Sequence, residues 1–163
     1  MEDINAAVVG SIRNYLTNHS MGRVFSLRQD FSSAFTRLLY SPAATDVQIE
    51  INDRHFPIFI AGRAVDVTAS ALLLRTAAGI APGAFQISVD GAAVNGFVAD
   101  PNYGDLPSRP LPAAFTGNLR GKHTLRVDAA GGFAPAAPPP GDVSAIDADR
   151  LVDMLVYVEY AVP

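Results

Sequence analysis

Apolar and polar positions alternate with a period of two from Val24 to Gln29, where Val24, Ser26 and Arg28 interleave with Phe25, Leu27 and Gln29. That period predicts a strand with one greasy face. The period then lengthens: Phe31, Phe35, Leu38 and Leu39 recur at i, i+4, i+7 and i+8, which predicts a helix with one apolar stripe. Asp30 stands where an N-cap carboxylate would meet the free N–H groups of its first turn, and Ser41-Pro42 stops it. Val47, Ile49 and Ile51 alternate with Gln48, Glu50 and Asn52, so the chain returns to strand. This stretch of strand, helix and strand, running on to Arg75, organises the reading of everything around it.

Upstream, Ile4, Val8, Ile12, Tyr15 and Leu16 share one face of a helix expected over residues 3–17, with Gly22 as its left-handed terminator. Downstream, Phe56-Pro57-Ile58-Phe59-Ile60 is a short apolar run that Pro57 confines to a sheet edge or a strand start. A long strand follows over 65–75, with Val65, Val67, Ala69, Ala71 and Leu73 on one parity and Leu72-Leu73-Leu74 expected to be buried on both faces. Phe85 to Val89 alternates into Asp90-Gly91, a two-residue hairpin signal, and Ala92 to Val94 returns. Residues 99–118 hold four prolines and two glycines and read as a long ordered loop. His123 to Asp128 is a further strand, residues 129–141 form a Pro/Ala-rich mobile insert, and Leu151 to Val162 closes the chain as a strand too apolar for an exposed edge.

The sum predicts a mostly β chain: an antiparallel β-sandwich of about seven or eight strands with two short N-terminal helices, spanning 1–163 as one domain. The expected core comprises Phe25, Leu27, Phe31, Phe35, Leu38, Ile49, Ile51, Leu73, Ile87, Leu125, Leu155 and Val156.

Composition narrows the chemistry. A hydrophobic fraction of 49% with 17% charged residues suits a packed core, and a net charge of −4 without a Lys/Arg cluster argues against general nucleic-acid binding. No apolar run reaches bilayer length, so no membrane contact is expected, and the acidic start Met1-Glu2-Asp3 lacks the pattern of a classical signal peptide. Zero cysteines exclude disulfides, thiolate metal sites and cysteine nucleophiles.

Candidate chemistry is sparse. His19, His55 and His123 are isolated, without the pairing that zinc sites use. Asp100 to Asp105 carries oxygen ligands at first, third and sixth positions, but Asp105 replaces the glycine of a calcium loop and no glutamate stands at the twelfth; a plain turn is the simpler reading. Asp147 and Asp149 read as turn caps, and Asp153 and Glu159 as the wetter face of the last strand. Neither a Gly-x-Ser-x-Gly elbow nor a phosphate-binding glycine loop occurs. The chain is therefore expected to be non-catalytic and to carry no cofactor or metal. In residues 99–118, Tyr103, Arg109 and Phe115 are of the types that dominate protein interfaces, and prolines reduce the entropy lost on binding. The competing expectation is that Leu106, Leu111 and Phe115 fold back as a lid.

From Val24 onward the order of features resembles the C-terminal region of the large A subunit of bacterial Tc (toxin complex) insecticidal toxins. Phe25-Ser-Leu-Arg-Gln-Asp-Phe31 is similar to that family's Phe-Ser-x-x-x-Asp/Glu-Phe-Pro segment, with Phe35 in its aromatic position. Arg54-His-Phe-Pro-Ile-Phe59 and Gly62-Arg-Ala-Val65 resemble its Phe/Tyr-Pro and Gly-Lys/Arg segment, and Asp153 to Val162 its closing strand. Ser32 departs from the family's proline, and residues 99–141 match none of its motifs. The resemblance implies a β-sandwich that docks a Tc B-type subunit, the toxin-carrying cocoon, onto an oligomeric A subunit in a secreted bacterial toxin complex. The alternative from another class is a carbohydrate-binding β-sandwich, calcium-stabilised, using Tyr103, Phe115 and Phe133 as its aromatic platform.

Overall fold

In a computed structural model the described residues are Ser11, Asn14, Tyr15 and 19–163. Those first three are helical, and the rest of the helix expected over 3–17 lies outside the described residues. The remainder is an antiparallel β-sandwich of nine strands. Strand β1 (Met21–Ser26) leads through a single turn, α1 (Leu27–Asp30), into α2 (Ser32–Tyr40) and then β2 (Asp46–Ile51). Next come β3 (Asp66–Thr76), β4 (Gln86–Val89), β5 (Ala92–Asn95), β6 (Val98–Asp100) and β7 (Leu106–Arg109). A one-turn α3 (Ala113–Thr116), β8 (Gly121–Ala129) and β9 (Leu151–Ala161) complete the chain. One sheet runs β1-β9-β3-β7-β6 and the other β2-β8-β4-β5.

The central place of β9, between β1 and β3, is the one its apolar composition demanded. Asp90 and Gly91 both take positive φ and close the β4–β5 hairpin, the twist that a two-residue turn between right-twisted strands requires. Val47, Ile49 and Ile51 of β2 point inward, as do Leu125 and Val127 of β8. Helix α2 buries Ala34, Phe35, Leu38 and Leu39 against them.

Several expectations are corrected. The strand expected to reach Gln29 stops at Ser26, which caps α1 by accepting a hydrogen bond from the Gln29 N–H at 3.1 Å. Asp30 is not the cap of α2; its carboxylate accepts the Ser26 N–H at 2.8 Å, and Phe31 holds the N-cap position of α2 without a side-chain cap. Gly22 lies within β1 and has no left-handed conformation. The run Phe56–Ile60 is not a strand: Phe56 ends one 3-10 turn, Asp53–His55, and Ile58–Ile60 forms a second after Pro57.

In β3 a bulge between Val67 and Ala69 reverses the parity read from the sequence. Leu72 and Leu74 therefore face the core, while Leu73 and Ala71 are buried outside the main cluster. Leu155 pairs with Leu73 and is only half-buried, and Phe31 packs at the core's margin; the other ten expected core residues are buried.

The proline-rich stretch 99–118 is no loop. Its first part is the β6–β7 hairpin and its second contains α3. Prolines 107 and 110 are tolerated because β7 is short and pairs with β3 at only two positions. The insert 129–141 is likewise anchored at its start. Gly131–Phe133 is a 3-10 turn whose Phe133 is buried against Phe85, ring centroids 5.0 Å apart. A Cβ at Gly132 would lie 1.8 Å from the Ala81 carbonyl oxygen, so only glycine permits this approach.

Candidate functional site

The most distinctive surface feature grows out of the aromatic cluster that closes one end of the sandwich. Phe25 of β1 meets Phe56 edge-on at 5.9 Å, and Phe56 meets Tyr160 of β9 at 5.5 Å. His55 fills the gap beside Phe25 and Phe31, centroids 6.1 and 5.1 Å away, and its Nδ1 accepts the Asn52 N–H at 3.1 Å. Phe56 and Ile60 are both sunk into the core. The chain between them must bulge outward, and Pro57 stiffens its start. Ile58 is left 90% exposed and Phe59 49% exposed.

Arg120, just before β8, clamps this arch. Its guanidinium donates to the carbonyl of Ile60 at 2.8 Å and to that of Arg63, and it lies over the Phe56 ring at 4.9 Å. Its Nε stands 3.0 Å from Asp53 Oδ1, an ion pair by distance whose N–H does not point at the oxygen. One side chain thus ties residues 53, 56, 60 and 63 together. Both carbonyls gain a charge-assisted partner, that of Ile60 in addition to the Arg63 N–H it accepts at 3.1 Å, and the arch is held in one shape. Exposed aliphatic and aromatic side chains on a pre-shaped support are the kind of feature that anchors protein interfaces, because little ordering entropy remains to be lost.

The sequence-predicted interface residues are not brought together. Phe115 is completely buried, its ring 4.0 Å from that of His123, and Leu111 is buried too; both belong to the fold-back arrangement. Tyr103 is half-buried on Tyr157, centroids 5.4 Å apart. Burial, with Asp100 and Glu159 nearby, raises the Tyr103 phenol above its ordinary pKa. Arg109 is exposed but pairs with Leu72, on the opposite side of the sheet from the Leu73 row. With Phe115 and Phe133 both inside, two of the three rings proposed as a carbohydrate platform have no open face.

The other candidates resolve into structural roles. Asp100 accepts the Asn102 N–H at 2.9 Å and the Ser108 hydroxyl at 3.3 Å, which fixes the β6–β7 turn. His123 is buried with Nδ1 2.7 Å from Asp90 Oδ2 and Nε2 3.1 Å from the Leu119 carbonyl, tying the hairpin tip to the approach of β8. Asp153, expected on a wet face, is buried and accepts three hydrogen bonds, from the Ser26 hydroxyl and the N–H groups of Arg28 and Met154. On the outer face of the four-stranded sheet, Asp128 accepts from Ser88 and, at 2.7 Å, from Arg126. Among the described residues no group of three or more metal-ligating side chains converges.

Sequence reasoning missed both the clamp and the exposure of Ile58 and Phe59. A proline inside an apolar run was the available signal, since it rules out an interior strand and leaves the next side chains without a sheet face to join. Arg120 gave no signal, because its partners lie 57 to 67 residues away. No protein-family model matches the sequence, and none of the curated proteins matches it.

Proposed function

We propose that this domain is a non-catalytic protein–protein docking module and that the clamped arch Phe56–Ile60 is its contact element. A single observation carries the reading: Ile58 and Phe59 are held in water by a brace built from Arg120, Pro57, Phe56 and Ile60. Apolar side chains without a structural task on a rigid turn gain their stabilisation when a partner covers them. By the resemblance of Phe25–Phe31, Arg54–Phe59 and the closing strand, the partner is a Tc B-type subunit and the module attaches the toxin-carrying cocoon to its translocation subunit.

The test is capture of a purified Tc B-type subunit by the immobilised chain. Ile58→Asp with Phe59→Ser should weaken capture at least tenfold, about 1.4 kcal/mol, while circular dichroism and the melting temperature stay unchanged. Unaltered capture by that variant would remove the arch from the interface.

A further inference from the structure

Two guanidiniums flank the aromatic cluster beneath the arch, and they differ in what they hold. Arg120 donates its terminal N–H groups to the carbonyls of Ile60 and Arg63. Arg23, on the edge strand β1, lies over the Phe25 ring at 5.4 Å and makes no side-chain hydrogen bond or ion pair with any described residue. Its Nε is buried without an acceptor. Arginine carries five N–H donors in a fixed fork that matches a carboxylate, and a buried donor left unpaired is costly. Covering Phe25 and blunting the β1 edge need the charge and stem of Arg23, but not its fork.

A second donor stands at the same cluster. Tyr160, which meets Phe56 at 5.5 Å, is 2% exposed, and its hydroxyl has no hydrogen-bond partner among the described residues. Burial raises its phenol above the ordinary pKa, while the charges of Arg23 and Arg120 pull the other way, so both guanidiniums act on this one hydroxyl. Local charge is one-sided, although the whole chain carries −4. Arg23, Arg63 and Arg120 gather here, and Asp53 is the one carboxylate paired with any of them among the described residues. Arg54 is set apart, sharing a neighbouring cleft with Asp30 and Glu50.

We infer that Arg23 and the Tyr160 hydroxyl, with the fixed charge of Arg120 beside them, form a carboxylate-binding site, and that the docking partner fills it with an aspartate or glutamate side chain as it covers Ile58 and Phe59. The inference rests on the arch being a docking element, and it names the chemistry that the partner's surface presents beside its apolar contact. Arg23 supplies two parallel N–H donors to the carboxylate and Tyr160 an O–H, in surroundings dry enough to strengthen each bond. A lysine at position 23 would keep the charge and lose the fork.

Two measurements on the full chain separate this site from the arch. The first titrates acetate and follows the arginine Nε–H resonances by NMR, with no B-type subunit present. The Arg23 resonance should shift to saturation, Tyr160→Phe should weaken that binding, and the exposed Arg109 should not respond. The second is capture of a purified Tc B-type subunit. Arg23→Lys and Arg23→Met should each weaken it at least tenfold, as when one member of a desolvated charge pair is removed. If Arg23→Met lowers the melting temperature, Arg23→Lys decides, because a residue that only covers Phe25 tolerates lysine. An Arg23 resonance unmoved by acetate, or capture kept by Arg23→Lys, overturns the inference. Capture lost in Ile58→Asp but kept in the Arg23 variants leaves the docking reading standing and this inference failed. If acetate moves Arg23 while the arch variant captures normally, the carboxylate site stands and the arch reading fails.

Discussion

The carboxylate of Asp153 receives the hydroxyl of Ser26 at 2.5 Å across the β1–β9 pair, and this contact turns the chain out of the sheet. Ser26 donates to Asp153 while accepting the Gln29 N–H, so one hydroxyl ends a strand and caps a helix. The same carboxylate accepts the N–H groups of Arg28 at 3.0 Å and Met154 at 2.8 Å. The corner places Phe31 beside His55 and so sets the aromatic cluster on which the arch is built.

Asp153→Ala should be among the most damaging changes in the chain. It removes the acceptor of the buried Met154 N–H, of the Arg28 N–H and of the Ser26 hydroxyl, and each group left buried and unpaired costs about 1–3 kcal/mol. Ser26→Ala should cost less, about 1 kcal/mol, as for the loss of an N-cap. Urea unfolding of both variants orders them; a smaller loss for Asp153→Ala than for Ser26→Ala would show that the corner is held in some other way.

Arg120→Met keeps most of the aliphatic length over Phe56 but removes every donor of the clamp. Hydrogen bonds from a charged group are worth about 1.5–3 kcal/mol, so a stability loss of that order is expected. Chymotrypsin should also cut after Phe59 faster than in wild type, because the arch opens locally. An unchanged cleavage rate would mean that Pro57, Phe56 and Ile60 brace the arch without Arg120.

How much of this was legible follows from how local each cause is. Strand β2, the Asp90-Gly91 turn and the interior place of β9 rest on short-range patterns, and each is found where the residues place it. The two-sided burial of Leu72, Leu73 and Leu74 was legible as an unbroken apolar run, but the parity of β3 was not, since the bulge at Thr68 has no residue signature. The β6–β7 hairpin was hidden by Pro101 and Pro107 within it and Pro110 and Pro112 just after, which the short ladder accommodates. At the candidate site, the apolar run and Pro57 could be read but the outward turn could not. That turn depends on Arg120 and Tyr160, which only the folded chain brings to Phe56.

Gly132→Ala should destabilise by about 1–3 kcal/mol, the usual cost of forcing atoms into a packed site, because its Cβ would meet the Ala81 carbonyl. Thermal unfolding checks this. A melting temperature equal to wild type would show that residues 131–133 do not pack against 81–85 in solution.

Acid sensitivity should trace in part to Asp128. Burial opposes its charge, but the hydrogen bonds from Ser88 and Arg126 outweigh that and hold its carboxyl below the ordinary aspartate value. A depressed folded pKa contributes stability that is present above the unfolded value, about 3.9, and is lost as the pH falls through the folded value. Wild type should therefore lose stability below about pH 4 more steeply than Asp128→Asn. Parallel pH profiles for the two proteins would assign the acid loss to other carboxylates.

The central claim is that the arch touches protein, and a photo-crosslinker in place of Ile58 tests it most directly. The probe should be compared with the same probe in place of Glu50, an exposed residue of β2. Irradiation of the full chain, alone and with a Tc B-type subunit, followed by mass spectrometry of the products, gives the answer. The account predicts adducts with the B-type subunit from position 58 well above those from position 50. Equal yields from the two positions would contradict it.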